Sequence, residues 1–595
     1  MTRTRILQLT ARFAAALVIL TACGQAAGST TATKAGGAAT ASGGGSAAAA
    51  TTTAAGTPEL VPWTAVTTNK TFAAAKAAMA NAQQGGTLVI VTDQKPENLD
   101  PTLHASRFTA MININTHDPF IWQPEPNQYV PGLAASWEIS PDFKTYTLHL
   151  RKDVTFQDGT PMNAAAVIAT WDRMRNPKER SLQINDWNNL DHYTATDPYT
   201  IQIVWKVANP GFLQTLTGTS VSPQSPTAVQ KEGDTKYILQ PVGTGPFMVQ
   251  SWPDENTLVL VKNPNYKWGP AFLGNSGPAY LDKVIYKFVT EEATRGAALQ
   301  SGEASAIEDA PRSLNSLYLK TPSKYTVQAF ETSGLPQFWS MNVTRFPTND
   351  LAVRQAIEYG INKQQAAQQV FFGTVTPATG PLTDSNWAYW SGNKDYYPYD
   401  PAKAEQLLQQ AGYTKNASTG FYEKNGQQVK VRLVTGNDPA NSGWGQAAQA
   451  MLKKVGINME VDALAYDATV VRYAANDYEM GRLGLSGTDP NVLYDAFDSS
   501  QITAGTQFNR TRINNPQLDQ LLTQGQQLSD PAQRMPIYQQ IQKIIMDNAY
   551  GVFNWQDDYY WVTQSCVNGW AWDTSGSYLL QDVWVSGSCR NITGS

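Results

Sequence analysis

The stretch from Leu335 to Lys363 constrains the fold because a buried strand leads directly into an amphipathic helix. The apolar, partly aromatic run Phe338–Val343 predicts the strand. Asn349 or Asp350 can accept a hydrogen bond from the first N–H groups of the helix. One apolar stripe of that helix consists of Val353, Ala356, Ile357 and Gly360. Two interpretations follow: a crossover between two lobes, or one more strand–helix unit in a single domain.

Composition excludes several classes of protein. With 595 residues the chain is too long for one core, which predicts more than one domain. Only 16% of the residues are charged and the net charge is −5, without a basic block. Nucleic acid and anionic membrane surfaces are therefore excluded as partners.

The first 23 residues have the pattern of a targeting segment. Three arginines precede the apolar run Phe13–Leu20, which is too short to span a bilayer. Leu20–Gly24 resembles a bacterial lipobox, which implies cleavage before Cys23 and a lipid on its sulfur. The alternative is an ordinary signal peptide with an incidental cysteine.

A flexible linker and a short lead-in are expected next. Residues 24–57 are almost entirely Ala, Thr, Gly and Ser, which cannot bury enough apolar surface to offset the entropy of ordering. Residues 58–85 are predicted to be a short helical lead-in to the folded body.

The number of cysteines, three, limits the redox and metal chemistry that the chain can carry out. If Cys23 carries lipid, Cys566 and Cys589 remain, and in an oxidising compartment they are predicted to form a disulfide. Two free buried thiols are the alternative. The sequence has no CxxC and no Cys/His metal spacing, so neither a metal nor another cofactor is predicted.

Several ordered motifs carry a resemblance to a known family. Pro131–Arg175 runs from a PGLAASW segment through an alternating strand and a DGTP turn to a helix capped by Asn163. Pro241–Phe247 reads PVGTGPF, and we assign its glycines to tight turns. With the opening stretch, these motifs resemble the oligopeptide and dipeptide type, family 5, of the extracytoplasmic solute-binding proteins of ABC importers. The family pattern is matched in the opening stretch at Asn342, Pro347, Asp350, Val353, Arg354, Ala356 and Ile361.

The resemblance runs from about Gly86 to Trp570 and implies the fold class. The family has an α/β, two-lobed periplasmic-binding-protein-like fold of type II, of the large cluster with an extra subdomain, and its cleft closes about a hinge. The expected divisions are lobe 1 at 86–340 with a subdomain at about 101–235, lobe 2 at 341–553, and a return to lobe 1 at 554–595.

One departure from the family pattern bears on the ligand. Peptide-binding members carry a W-x-A-D-Y-x-D/E-P run whose first Asp pairs with the α-ammonium of the peptide. Here Leu483 and Ser486 stand in place of that Trp and Asp. A hydroxyl cannot neutralise an ammonium, so Asp489 is expected to substitute, with Thr488 beside it.

Further ligand-binding residues are expected around the cleft. His104 and Arg107 lie just beyond the family's first cleft loop, and Asn342 lies in the hinge motif. Aromatic faces that stack on sugars or peptide side chains are expected in loops or at strand ends, namely Trp339, Trp387, Trp390, Trp444 and Trp555.

The resemblance implies a membrane-anchored, extracytoplasmic receptor that captures a small solute for an ABC permease and its ATPase subunits. The protein is expected to be a monomer and not an enzyme. Oligopeptide is the first expectation for the solute, and an oligosaccharide or other small solute is the alternative. A sensory receptor and a secreted hydrolase are further alternatives. The hydrolase rests on the pair Asp557–Asp558, whose side chains point to opposite faces if they lie on one strand.

Overall fold

The structure is a computed structural model that describes residues 67–68, 72–103, 106–125, 128–179, 181, 187, 189–254, 256–503, 508–528 and 530–592. These residues belong to one compact unit, 58–595. The predictions made for 1–23 and 24–57, including the lipidation of Cys23, lie outside the described residues, and so does His104.

The strands are numbered in chain order. They are β1 (Thr67–Thr68), β2 (Thr87–Thr92), β3 (Ile121–Glu125), β4 (Gln128–Pro131), β5 (Ala134–Ile139), β6 (Thr145–Leu150), β7 (Leu190–Asp197), β8 (Thr200–Trp205), β9 (Phe247–Asp254), β10 (Thr257–Lys262), β11 (Lys283–Phe288), β12 (Ala306–Glu308), β13 (Tyr325–Glu331), β14 (Gly334–Met341), β15 (Thr414–Lys415), β16 (Tyr422–Lys424), β17 (Gln427–Gln428), β18 (Lys430–Gly436), β19 (Asn458–Leu464), β20 (Met480–Ser486), β21 (Gly551–Trp555), β22 (Asp558–Gln564), β23 (Val567–Asn568) and β24 (Trp584–Val585).

The α-helices are numbered in the same way. They are α1 (Phe72–Ala77), α2 (Arg107–Asn113), α3 (Ala164–Arg175), α4 (Phe212–Thr215), α5 (Pro226–Tyr237), α6 (Glu292–Ser301), α7 (Asn315–Lys320), α8 (Leu351–Gly360), α9 (Lys363–Phe371), α10 (Pro401–Gln410), α11 (Pro439–Val455), α12 (Tyr466–Ala474), α13 (Val492–Phe497), α14 (Pro516–Gln527) and α15 (Pro531–Asp547).

Two large mixed sheets organise the described chain. The first has the strand order β1-β13-β22-β12-β2-β11-β10-β9, and the second has the order β19-β18-β20-β14-β21. A separate four-stranded sheet, β5-β6-β8-β7, is inserted in the sequence between β2 and β9 and packs on α3. The two faces of the second sheet carry separate cores, one built with α8, α10 and α11 and the other with α13, α14 and α15.

The strand and the helix predicted in the opening stretch are both present, although the strand spans Gly334–Met341 rather than Phe338–Val343. Every residue of β14 is buried, and α8 begins after Asp350, whose side chain accepts a hydrogen bond from the Ala352 N–H at 3.0 Å. Burial in β6 alternates, and Asn163 caps α3 through the Ala166 N–H. Asp400 caps α10 with Pro401 in its first turn. The helix after Asp530 continues through Pro536.

Strand pairing shows where the chain crosses from one large sheet to the other. β14 belongs entirely to the second sheet, because it pairs with β20 and β21. The chain therefore leaves the first sheet after β13 and returns to it at β22. Phe553–Trp555 lies in β21 and still pairs with β14. The domain boundaries given above remain a prediction.

A disulfide joins Cys566 and Cys589, with the two Cα atoms 5.9 Å apart and a sequence separation of 23 residues. This pairing confirms the prediction over the alternative of two free thiols. The segment that it closes contributes Trp570, Trp572 and Tyr578 to the core of the first sheet. Tertiary packing and the covalent link thus hold the same segment.

Candidate functional site

The two segments in which the chain crosses between the large sheets lie side by side. The Thr332 N–H donates to the carbonyl oxygen of Asp557 at 2.9 Å, and the Gly487 N–H donates to the carbonyl oxygen of Ser333 at 2.8 Å. Residues 332–333, 556–557 and the end of β20 therefore meet at one place, which we call the junction. Carboxyl ends of parallel strands are where ligands bind in α/β sheets, and β20 ends here at Ser486, parallel to its neighbour β18.

On the first-sheet side, Arg107 begins α2 and stacks over a tyrosine. Its guanidinium carbon lies 3.7 Å from the ring centroid of Tyr559, and its Nη2 lies 3.3 Å from Oε1 of Glu308. Glu308 is 4% exposed and also accepts a hydrogen bond from the Thr92 hydroxyl at 2.9 Å. These contacts fix the Arg107 side chain beside the junction.

The pKa values of this cluster reflect burial and charge pairing. Burial lowers the pKa of Arg107, but Tyr559, Glu308 and Asp557 raise it more, so the net shift is upward. Burial raises the pKa of Glu308, and Arg107 partly offsets that rise. The pKa of Tyr559 is raised by burial, while Arg107 and a hydrogen bond with Ser486 act in the opposite direction. The charged cluster of the first sheet thus lies next to Ser486, a residue of the second sheet.

On the side of the second sheet, the side-chain amide of Gln337 forms hydrogen bonds with two groups of opposite charge. Nε2 of Gln337 donates to Oδ2 of Asp557 at 3.1 Å, and Oε1 of Gln337 accepts from Nε of Arg482 at 2.9 Å. Asp557 and Arg482 are both half-buried. Gly484 leaves the room for this amide, because a Cβ at that position would lie 2.7 Å from Nε2 of Gln337.

Asp489 already has a partner within the protein. Its two carboxylate oxygens accept from Nη1 and Nη2 of Arg534, each at 2.7 Å. Such a bidentate pair satisfies the charge of the carboxylate, so Asp489 offers no unpaired charge to a ligand ammonium. Thr488 contributes its carbonyl oxygen to Asn386 Nδ2 at 3.3 Å, whereas Ser486 is exposed at the junction.

The tryptophans expected at the cleft are mostly enclosed. Trp339, Trp444 and Trp555 are 1%, 0% and 3% exposed and belong to one core cluster. Trp444 lies inside α11 and not in a loop. Its Nε1 donates to Oδ1 of Asn554 at 2.9 Å. Trp339 lies within β14, so the prediction of loops or strand ends was wrong for these two residues, because apolar burial decided their place.

Asn342 and Trp387 have different surroundings. Asn342 is fully buried, and its Nδ2 donates to Oδ1 of Asn476 at 2.7 Å and to the carbonyl oxygen of Tyr478 at 3.0 Å. Trp387 is half-buried and packs edge-on against Tyr538. Contact of these residues, and of the other predicted site residues, with a ligand stays a prediction.

Sequence reasoning missed four residues that lie beside the junction, namely Glu308, Gln337, Arg482 and Tyr559. Each lies within a strand, where its neighbours in sequence are mostly apolar. The available signal was a charged or polar side chain interrupting a buried strand, as Gln337 does in β14. The pair Asp557–Asp558 was noticed for hydrolysis, but the two carboxylates have separate partners. Asp558 pairs with Arg312 at 2.7 Å and Asp557 with Gln337.

Solved structures with a similar fold are two-lobed periplasmic binding proteins. The peptide-bound DppA of Helicobacter pylori is 26% identical with a TM-score of 0.68, over 85% of this chain and 99% of that chain. NikA of Brucella suis, in complex with Fe(III)-EDTA, is 23% identical with a TM-score of 0.75, over 84% of this chain and 100% of that chain. The fold class is therefore the type II periplasmic-binding-protein fold.

Sequence comparisons identify the family. Residues 128–505 match the profile "Bacterial extracellular solute-binding proteins, family 5 Middle". The glutathione-binding protein GsiB of Escherichia coli (strain K12) is 30% identical over 463 residues, which are 76% of this chain and 84% of that protein. The chain belongs to family 5 of the bacterial extracellular solute-binding proteins.

Membership of this family defines the function at the level of class. The protein is an extracytoplasmic receptor that binds a small solute and delivers it to an ABC importer, and its relatives are substrate-binding proteins rather than enzymes. None of the described helices is long and apolar enough to cross a membrane.

Proposed function

We propose that the solute is a short peptide and that Asp557 receives its ammonium group. The observation that carries this proposal is the half-buried Asp557 carboxylate at the junction, where only the Gln337 amide, a neutral donor, bonds to it among the described residues. A half-buried carboxylate without a bonded cation gains from pairing with a ligand ammonium. The relatives named for glutathione and the peptide-bound DppA support the same class of solute.

Asp557 compensates for the serine that departs from the family pattern. Ser486 pairs with Gly334 in the ladder between β20 and β14. Thr332, two residues earlier, donates to the backbone carbonyl of Asp557. Asp557 therefore lies beside the end of β20, where the family places its ammonium-binding carboxylate. Asp489 is no longer needed in that role, since Arg534 neutralises it.

An oligosaccharide is less well supported as the solute. Sugar rings stack on exposed aromatic faces. Trp339, Trp444 and Trp555 present no such face, because they are at most 3% exposed. The charged groups of the junction instead suit a solute that is itself charged.

The proposal predicts that peptides stabilise the full chain against thermal unfolding and that Asp557→Asn abolishes this effect. A ligand at a hundredfold its Kd adds about 2.7 kcal/mol to the free energy of unfolding, which raises Tm by about a degree or more. The measurement is Tm with pools of di- and tripeptides and, separately, of oligosaccharides. Asp395→Asn is the control, because Asp395 is exposed.

Two outcomes contradict the proposal. Stabilisation by oligosaccharides alone excludes a peptide as the solute. An equal response of the wild type and the Asp557→Asn variant to peptides removes Asp557 from the site.

We also propose that Cys23 carries a lipid that anchors the receptor to the membrane, with 24–57 as the tether. The lipobox-like sequence before Cys23 supports this. Replacement by Cys23→Ser is expected to move the protein from the membrane fraction to the soluble fraction of the cells or medium. Retention in the membrane fraction contradicts a lipid at this residue.

A further inference from the structure

We infer that residues 374–376 form a third, noncovalent strand of the hinge between the two lobes, and that Arg312 holds this strand in place. The chain itself crosses between the two large sheets at 332–333 and at 556–557. The inference is independent of the solute, because it concerns how the two lobes move relative to each other.

Residues 374–376 follow α9 and lie on the side of the second sheet. The Gln556 N–H donates to the carbonyl oxygen of Thr376 at 2.8 Å. The next residue, Pro377, forms an isolated antiparallel bridge with Trp555, the last residue of β21. The segment therefore continues the second sheet beyond β21 and lies directly beside the second crossing.

Side chains of the first-sheet side bond to both ends of this segment. Nη1 of Arg312, which follows β12, donates to the carbonyl oxygen of Thr374 at 3.2 Å and to its hydroxyl oxygen at 2.9 Å. At the other end, the Thr376 hydroxyl donates to Oε1 of Glu331 at 3.0 Å. Glu331 is the last residue of β13, immediately before the first crossing. The segment is thus bonded to the first-sheet side close to where the chain leaves it.

Arg312 is itself fixed to the first sheet. Its Nη2 lies 2.7 Å from Oδ1 of Asp558, the first residue of β22, and the two side chains are 13% and 3% exposed. The guanidinium carbon lies 4.6 Å from the ring centroid of Tyr560 in β22 and 5.5 Å from that of Phe371 at the end of α9. One enclosed cation therefore contacts both sides of the hinge.

The environment of Arg312 keeps it charged. Burial lowers the pKa of Arg312, but Asp558, together with Asp309 and Tyr560, raises it more, so the net shift is upward. Hydrogen bonds from a charged donor are stronger than those from a neutral one. Thr374 is fully buried, so its carbonyl oxygen has no water to replace the guanidinium. An unpaired buried polar group is costly, which favours persistence of this contact.

The position of the segment determines its effect on the motion. Groups on a rotation axis stay in place, and the two crossings of the chain define the axis about which the lobes turn. Because residues 374–376 are bonded beside both crossings, their hydrogen bonds persist while the lobes open and close. A third contact beside the axis resists twisting of one lobe against the other. The open receptor then has fewer conformations that cannot close on a solute, which raises its apparent affinity.

The test measures the distribution of distances between two spin labels by pulsed electron paramagnetic resonance on the full chain without a solute. The labels are attached through unnatural amino acids at the exposed residues Glu303 and Asp467, so that the disulfide stays intact. We expect Arg312→Gln to broaden the distribution about twofold relative to the chain that carries only the labels. Thr374→Val, which removes the hydroxyl but keeps the backbone carbonyl, is expected to broaden it less.

Arg295→Gln is the matched control, because Arg295 is also a buried arginine. It is 2% exposed, and its guanidinium donates to the carbonyl oxygens of Val289, Thr290 and Asp309, all on the first-sheet side. This variant is expected to lower Tm and to leave the width of the distance distribution unchanged.

An unchanged width in Arg312→Gln overturns the inference even if Tm falls, because Arg312 then stabilises only the first sheet. Equal broadening by Arg295→Gln also overturns it, since the loss of any buried arginine is then sufficient. If Arg312→Gln does not fold, the double variant Thr374→Val and Thr376→Val decides, and an unchanged width overturns the inference. The identity of the solute is not affected by any of these results.

Discussion

Individual charged side chains determine what the junction can bind, and their neighbours decide whether each charge is already paired within the protein. Asp489 and Asp557 are both half-buried aspartates near the end of β20, yet only Asp489 has a bidentate arginine partner. A sequence pattern can identify both carboxylates but not the neutralising Arg534, which lies 45 residues away. The proposal that Asp557 receives the ammonium group therefore rests on the structure.

A third half-buried carboxyl group, that of Asp495, gives a prediction about pH. Burial raises the pKa of Asp495, on α13, from its ordinary 3.8 to about 6. Between these values the folded chain holds a proton that the unfolded chain releases, so the free energy of unfolding falls as pH rises from about 4 to about 6. Asp495→Asn is expected to flatten this part of the profile of Tm against pH. The exposed Asp395→Asn serves as the control, and identical profiles for the wild type and Asp495→Asn contradict the raised pKa.

Helices and strands were largely predictable, because their signals lie within a few residues of one another. The strand before Asn342 and the helix after Asp350 follow from an apolar run and a capping carboxylate. Gly243 and Gly245 were misassigned to tight turns. A Cβ at Gly243 would lie 2.4 Å from the Thr116 carbonyl oxygen, and one at Gly245 would lie 2.5 Å from the Thr116 carbonyl carbon. Their role is a close approach of two backbone segments, which no local pattern reveals.

The ligand-binding residues were harder to predict from the sequence than the helices and strands. Aromatic residues near the expected cleft were selected for their capacity to stack, yet Trp444 and Trp555 pack against each other with ring centroids 4.8 Å apart. The same apolar surface that can bind a ligand also stabilises a core, and the sequence does not separate the two roles. Among the predicted residues, Arg107 lies beside the junction with a side-chain exposure of 36%, and Ser486 is exposed at the junction.

At the scale of the whole molecule, a disulfide closes the segment that follows the return of the chain to the first sheet. The loop between Cys566 and Cys589 closes over 23 residues, for which loop-closure entropy predicts about 3 kcal/mol of stabilisation. The double replacement Cys566→Ser and Cys589→Ser is expected to lower the free energy of unfolding by about that amount. Denaturant titration measures it, with Cys23→Ser as the control that leaves the disulfide intact. An unchanged midpoint contradicts a stabilising role.

The sequence by itself determined most local elements and the resemblance to the family, because capping, periodicity and ordered motifs act over short stretches. The structure decided between a disulfide and two free thiols at Cys566 and Cys589. The contacts at the junction were likewise decided only by the tertiary structure. Gln337 meets Asp557 across 220 residues and Arg482 across 145 residues. Those contacts depend on how β14 pairs with β20 and β21. Strand pairing between distant segments is set by the packing of the whole chain, which no short stretch of sequence encodes.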